Sequence, residues 1–143
     1  MAGWAYPPAR VIALPVAGAF HTRFMAPAED ALRAHTAGVS PADPDRPLLT
    51  NADGSVVTAG TEVLRRLVAQ VTRPVRWDRC MAALPELGVT AVIGLPPAGT
   101  LVALARRDLT GITTLALRTP DDLDAAADLI TELAATAQNG AGA

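Results

Sequence analysis

The chain has 143 residues, 50% of them hydrophobic and 18% charged; that length suits one domain, and the apolar content excludes intrinsic disorder because burial can offset the ordering entropy. All 12 basic residues are arginine, so there is no lysine for a Schiff base, a pyridoxal-phosphate linkage or the Gly-Lys-Ser/Thr of a phosphate loop. A formal net charge of -2 offers nucleic acid no cationic field, and the aromatics Trp4, Tyr6, Phe20, Phe24 and Trp77 form no base-stacking platform, so no nucleic-acid partner is expected.

Residues 11–17 are an apolar run rich in β-branched side chains, interrupted by Pro15, and predict a strand that ends at Gly18. His21 then falls just beyond a strand end. Pro27 in a first turn, followed by Glu29 and Asp30 and closed by Gly38, predicts a helix over residues 26–37. Residues 41–47 read as a loop, and residues 48–50 as a strand entering the turn Asn51-Ala52-Asp53-Gly54. A second helix over residues 61–71 carries the apolar stripe Val63, Leu64, Leu67, Val68 and Val71. Gln70 lies beside that stripe, where its amide requires a hydrogen-bond partner.

Beyond Pro74, the spacing of Trp77, Cys80, Met81 and Leu84 predicts a third helix ended by Gly88. Residues 89–95 read as a strand, Pro96-Pro97-Ala98-Gly99 as a turn, residues 100–109 as a helix and residues 112–117 as a strand. Thr119-Pro120-Asp121-Asp122 caps a last helix carrying Leu123, Ile130 and Leu133, and residues 138–143 are expected to be a disordered tail. Strands alternating with helices predict an α/β layer with a mainly parallel sheet, in one domain over residues 1–137.

Two histidines can titrate near neutrality. His35 sits in the last turn of its helix, where a surface cation is mildly favoured. His21 is placed where α/β proteins hold ligands, at the end of a strand, although a structural role is also open to it. A histidine base needs a nucleophile, and the strand-to-helix turn Gly-x-Ser-x-Gly is absent: Ser40 and Ser55 both read as turn residues. Cys80 is the sole cysteine, so it forms no internal disulfide and no zinc set, and its place on an apolar stripe predicts a buried, inert thiol in a reducing compartment. With no glycine-rich dinucleotide loop and no metal-ligand spacing, no cofactor and no metal are expected. Residues 1–8 lack a basic segment before an apolar core, and no apolar run approaches the roughly eighteen residues of a membrane span, so the expectation is a soluble, cytoplasmic protein. A mean hydropathy of +0.27 is high for a free-standing domain and hints at a missing partner surface.

Three stretches carry a family resemblance: Leu14-Pro15-Val16-Ala17-Gly18-Ala19-Phe20-His21-Thr22-Arg23-Phe24-Met25, Leu67-Val68-Ala69-Gln70-Val71-Thr72-Arg73-Pro74-Val75-Arg76-Trp77, and Leu95-Pro96-Pro97-Ala98-Gly99-Thr100-Leu101. In order and spacing they resemble the malonyl-CoA:acyl-carrier-protein transacylases, from about residue 9 to residue 133. The resemblance covers the C-terminal part of the family's chain, and it implies a partial α/β-hydrolase-like acyltransferase core. It also implies that the family's oxyanion loop, its Gly-His-Ser-x-Gly nucleophile elbow and its malonyl-clamping arginine would precede Met1. By resemblance His21 matches the catalytic histidine, Gln70 the glutamine whose main-chain carbonyl orients it, and Phe20 the phenylalanine tied to malonyl preference, although a core aromatic is an equal reading of Phe20. Gly94 stands where the family usually has a glutamate.

The expected function is the C-terminal portion of an acyltransferase that moves malonyl from CoA to acyl carrier protein in fatty-acid or polyketide synthesis. Alone it should be inactive, and its implied partners are malonyl-CoA, acyl carrier protein and a separate N-terminal half. The alternative is a non-catalytic module that binds a carrier protein or another subunit. The two diverge on one observation: an adjacent reading frame encoding the serine elbow would favour a split enzyme.

Overall fold

The computed structural model describes residues 16–140. The strand expected over residues 11–17 lies mostly outside them, and its last two residues, Val16 and Ala17, are not in a strand. A short 3₁₀ turn, Arg23–Met25, leads into α1 (Ala26–Thr36); the Thr22 hydroxyl caps the turn by accepting the Phe24 N–H at 3.4 Å. Pro27 at the helix start and Glu29 in the first turn are the signals that placed this helix, and the Glu29 carboxylate also pairs with Arg33 one turn on.

β1 (Leu48–Leu49) and β2 (Val56–Val57) form an antiparallel hairpin, with Leu48 opposite Val57 and Leu49 opposite Val56. β2 was not anticipated, although its two adjacent valines are a β-branched signal. The turn is built by Asp53, whose carboxylate accepts the Ser55 N–H at 3.0 Å and the Ser55 hydroxyl at 2.7 Å. α2 (Gly60–Gln70) follows, anchored where the Gly60 N–H donates to the Asp43 carboxylate at 2.8 Å.

α3 (Trp77–Glu86), β3 (Ala91–Gly94), α4 (Thr100–Asp108) and β4 (Thr113–Ala116) make the βαβ part of the molecule. β3 and β4 pair in parallel from Ala91 opposite Thr113 to Gly94 opposite Ala116. The core lies here: Cys80, Met81, Ala105 and Leu109 are buried together, with Trp77, Leu84, Val92 and Ile112 packed against them. At Gly94 α4 lies close over β3, since a Cβ there would lie 2.2 Å from Val102 Cγ2.

The expected mainly parallel sheet is met in part: among the described residues β3 and β4 pair in parallel, while β1 and β2 form a separate antiparallel pair. A parallel return needs a crossover of a dozen or more residues, and the short Asn51–Gly54 turn permits only an antiparallel one. The last helix, α5 (Leu123–Gly140), starts from the expected capping box, in which Asp122 Oδ2 accepts the N–H groups of Arg118 at 2.8 Å and Thr119 at 2.9 Å. It continues through residues 138–140, so the expected tail is helical there; residues 141–143 lie outside the described ones. Among the described residues no helix is long and apolar enough to cross a membrane.

Cys80 is 4% exposed, and its Sγ–H donates weakly to the Thr50 carbonyl at 3.5 Å. Burial, reinforced by the charges of Asp78 and Asp53, pushes the thiol above its ordinary range. Iodoacetamide at pH 8 should therefore alkylate the folded chain more than about tenfold more slowly than the urea-unfolded chain, because only opened molecules present the thiolate. Equal rates followed by mass spectrometry would return Cys80 to the list of reactive groups.

Candidate active site

His21 occupies the turn between Gly18 and the 3₁₀ segment, with φ at 59°. That left-handed conformation is uncommon for a residue with a Cβ, although histidine adopts it more readily than most, and it costs on the order of 1–2 kcal/mol. Thr22 stabilises it by donating its hydroxyl to the Ala19 carbonyl at 2.7 Å, across the histidine. The same Thr22 oxygen caps the segment that follows, so one side chain secures both sides of His21.

The ring of His21 reaches 49 residues along the chain to the end of α2, where Nδ1 lies 2.8 Å from the Gln70 carbonyl oxygen. A carbonyl only accepts, so Nδ1 must carry the proton. With the proton on Nδ1, the lone pair of the ring is at Nε2, and His21 is an exposed residue. The arrangement has the chemistry of an oriented general base.

Gln70 is 8% exposed, and its amide does find the partners that its position required: Nε2 donates to the carbonyls of Arg73 at 2.9 Å and Pro74 at 3.0 Å. Carbonyl and amide therefore have separate tasks, one toward His21 and one toward the turn after α2. A further tie joins α1 to the turn after α2, because the Thr72 hydroxyl donates to Glu29, which also holds Arg33. Periodicity and motifs gave no sign of this tie across 43 residues. Thr22 was legible in principle, as a capping residue just before a helix start.

Phe20 is 57% exposed and Phe24 69% exposed, so the core-aromatic reading of Phe20 fails. The Phe20 ring lies against Gly18, where an added Cβ would sit 3.4 Å from Cζ, and the Arg23 guanidinium stands 5.0 Å from the centre of the Phe24 ring. His21 is thus flanked by open apolar surface. A cavity of about 60 Å³ beside Gln70, lined by Leu48, Thr50, Val57 and Leu67 among others, has room for a few waters.

The remaining candidates stay apart. His35 is exposed in the last turn of α1. Ser55 is engaged with Asp53 and accepts Arg66 Nη1 at 3.1 Å, and Ser40 is exposed in the loop after α1. Among the described residues, neither serine hydrogen-bonds to His21, and no group of three His, Cys, Asp or Glu side chains could hold a metal ion.

No family model matches the chain. It is, however, 52% identical over 121 residues to the malonyl CoA-acyl carrier protein transacylase of Mycobacterium tuberculosis, covering 85% of this chain and 40% of that protein. The enzyme of the same name from Mycolicibacterium smegmatis is 46% identical over 120 residues, covering 81% of this chain and 41% of that one. The crystal structure of the M. tuberculosis protein matches with a TM-score of 0.75 at 52% identity, over 80% of this chain and 38% of the solved one. The chain spans about two fifths of the length of the curated relatives it matches. With that identity and that fold, the chain is similar to a C-terminal part of the malonyl CoA-acyl carrier protein transacylases.

Proposed function

We propose that the chain supplies the histidine side of a malonyl transacylase site, with the nucleophilic serine provided by a further polypeptide segment. The observation that carries this is the 2.8 Å contact between His21 Nδ1 and the Gln70 carbonyl, which leaves Nε2 as the base. In the proposed ping-pong reaction, Nε2 takes the proton of the serine hydroxyl as its oxygen attacks the thioester carbonyl of malonyl-CoA. The C–S bond breaks, CoA leaves with the proton from Nε2, and malonyl remains as a serine ester. The phosphopantetheine thiol of acyl carrier protein then gives its proton to Nε2 and attacks the ester, and the serine oxygen recovers that proton as malonyl departs. The substrates are malonyl-CoA and acyl carrier protein, in fatty-acid or polyketide synthesis, and the setting is cytoplasmic. Residues 1–137 form the C-terminal part of the acyltransferase domain, and Phe20 beside His21 sets acyl selectivity.

The test has two arms, both read by mass spectrometry after incubation with malonyl-CoA. Alone, the chain should gain no malonyl mass, because Ser55 is engaged elsewhere and neither serine sits in a turn that presents a hydroxyl to His21. Mixed with the unmatched remainder of the M. tuberculosis relative as a second polypeptide, it should restore malonyl turnover on that polypeptide. A stable adduct on Ser40 or Ser55 would overturn the division of labour. Binding of the second polypeptide without turnover would instead favour a non-catalytic interaction module, a reading supported by exposed apolar side chains such as Phe24, Leu67 and Leu95.

In the reconstituted pair, Phe20→Ser should relax the preference for malonyl-CoA over methylmalonyl-CoA by roughly 10-fold or more, since one methyl group is worth about 1–3 kcal/mol in an apolar pocket. The ratio of the two kcat/KM values measures it. An unchanged ratio would remove Phe20 from the specificity surface.

A further inference from the structure

The Gln70 carbonyl is available to His21 for a reason that lies four residues further on. In an α-helix the carbonyl of one residue accepts the N–H of the residue four places later. For Gln70 that residue is Pro74, which has no N–H. The backbone amide that does reach this oxygen is that of Arg73, at 3.3 Å, longer than the usual 2.9–3.0 Å. Pro74 also disfavours a helical Arg73, and the Gln70 amide holds the turn after α2 by donating to the carbonyls of Arg73 and Pro74. Pro74 is itself exposed, which leaves the backbone as the route for any influence on His21.

We propose that Pro74 is a positioning residue: by withholding a second backbone N–H from the Gln70 carbonyl, which already accepts that of Arg73, it leaves the oxygen's other lone pair to His21 Nδ1 and so determines which ring nitrogen of His21 is the base. Its consequence for catalysis rests on the reading of His21 as the base, but the tautomer itself can be measured without any acyl transfer. A failed reconstitution of activity therefore leaves this test standing.

The experiment is ¹⁵N NMR of the imidazole nitrogens in the intact chain, at a pH where both histidines are neutral, with exposed His35 as the internal reference. In the wild type, His21 should carry its proton on Nδ1. In Pro74→Ala the new N–H competes for the Gln70 oxygen, and the ratio of Nδ1–H to Nε2–H forms should fall about fivefold toward that of His35, the factor set by one net hydrogen bond. A chain assembled by ligation at Cys80, with N-methylalanine at position 74, lacks the N–H but also lacks the ring, and should keep the wild-type tautomer. If Pro74→Ala does not fold, Pro74→Ser, which restores the same N–H, takes its place. A wild-type His21 protonated on Nε2, a folded Pro74→Ala with an unchanged tautomer, or an N-methylalanine chain that loses the wild-type tautomer would each overturn the proposal.

Discussion

Replacing His21 with asparagine lowers kcat of the reconstituted transfer by about 10²–10⁴-fold, the usual contribution of a positioned general base, with little change in KM for malonyl-CoA. Asparagine is the informative replacement because position 21 has a φ of 59°, a conformation that asparagine accepts and most residues resist. It removes the base while keeping the turn that Thr22 closes over Ala19. His21→Ala combines the same chemical loss with backbone strain, so it should match asparagine in kcat but be less stable to urea. The difference between the two variants separates catalysis from folding. A loss below tenfold in the asparagine variant would show that proton transfer at this site does not depend on His21.

Substituting Gly60 by alanine destabilises the chain by about 2–3 kcal/mol, seen as a lower urea midpoint with an unchanged slope. A Cβ at Gly60 would lie 2.2 Å from the Ala42 carbonyl oxygen and 2.7 Å from both the Ala42 carbonyl carbon and the Pro41 oxygen. These are backbone atoms, so relief requires the loop to move, and movement breaks the bond from the Gly60 N–H to Asp43. Helix propensity alone predicts the opposite sign, favouring alanine by roughly 0.8–1 kcal/mol, which makes the direction of the change decisive. Gly38→Ala is the control, since nothing lies within 4 Å of its added Cβ, and it should stay within about 0.5 kcal/mol of wild type. A Gly60→Ala chain as stable as wild type would mean that α2 and the 41–43 loop are not locked together as described.

The amino-acid sequence by itself determined the elements whose signals are local. α1 is announced by Pro27 and Glu29, α5 by the capping box at Thr119 and Asp122, and β3 and β4 by short apolar runs bounded by turn residues, because caps, helix breakers and side-chain periodicity act within a few residues. The need for a partner at Gln70 was legible in the same way, from a polar group beside an apolar stripe. Pro74, four residues after Gln70, was legible too as a missing N–H, although its link to His21 was not. Only the tertiary structure decided what depends on groups far apart in the chain. No local pattern joined Gln70 to His21 across 49 residues, a contact of the Gln70 carbonyl that the family resemblance implied, and nothing in the sequence tied Thr72 to Glu29 across 43. The division into one antiparallel and one parallel pair followed from where the turns return the chain, and Phe20 remained at the surface although its hydrophobicity suits a core. Side-chain type and local pattern state that a group needs a partner or a neighbour; which one it meets is settled by the packing of all the elements together.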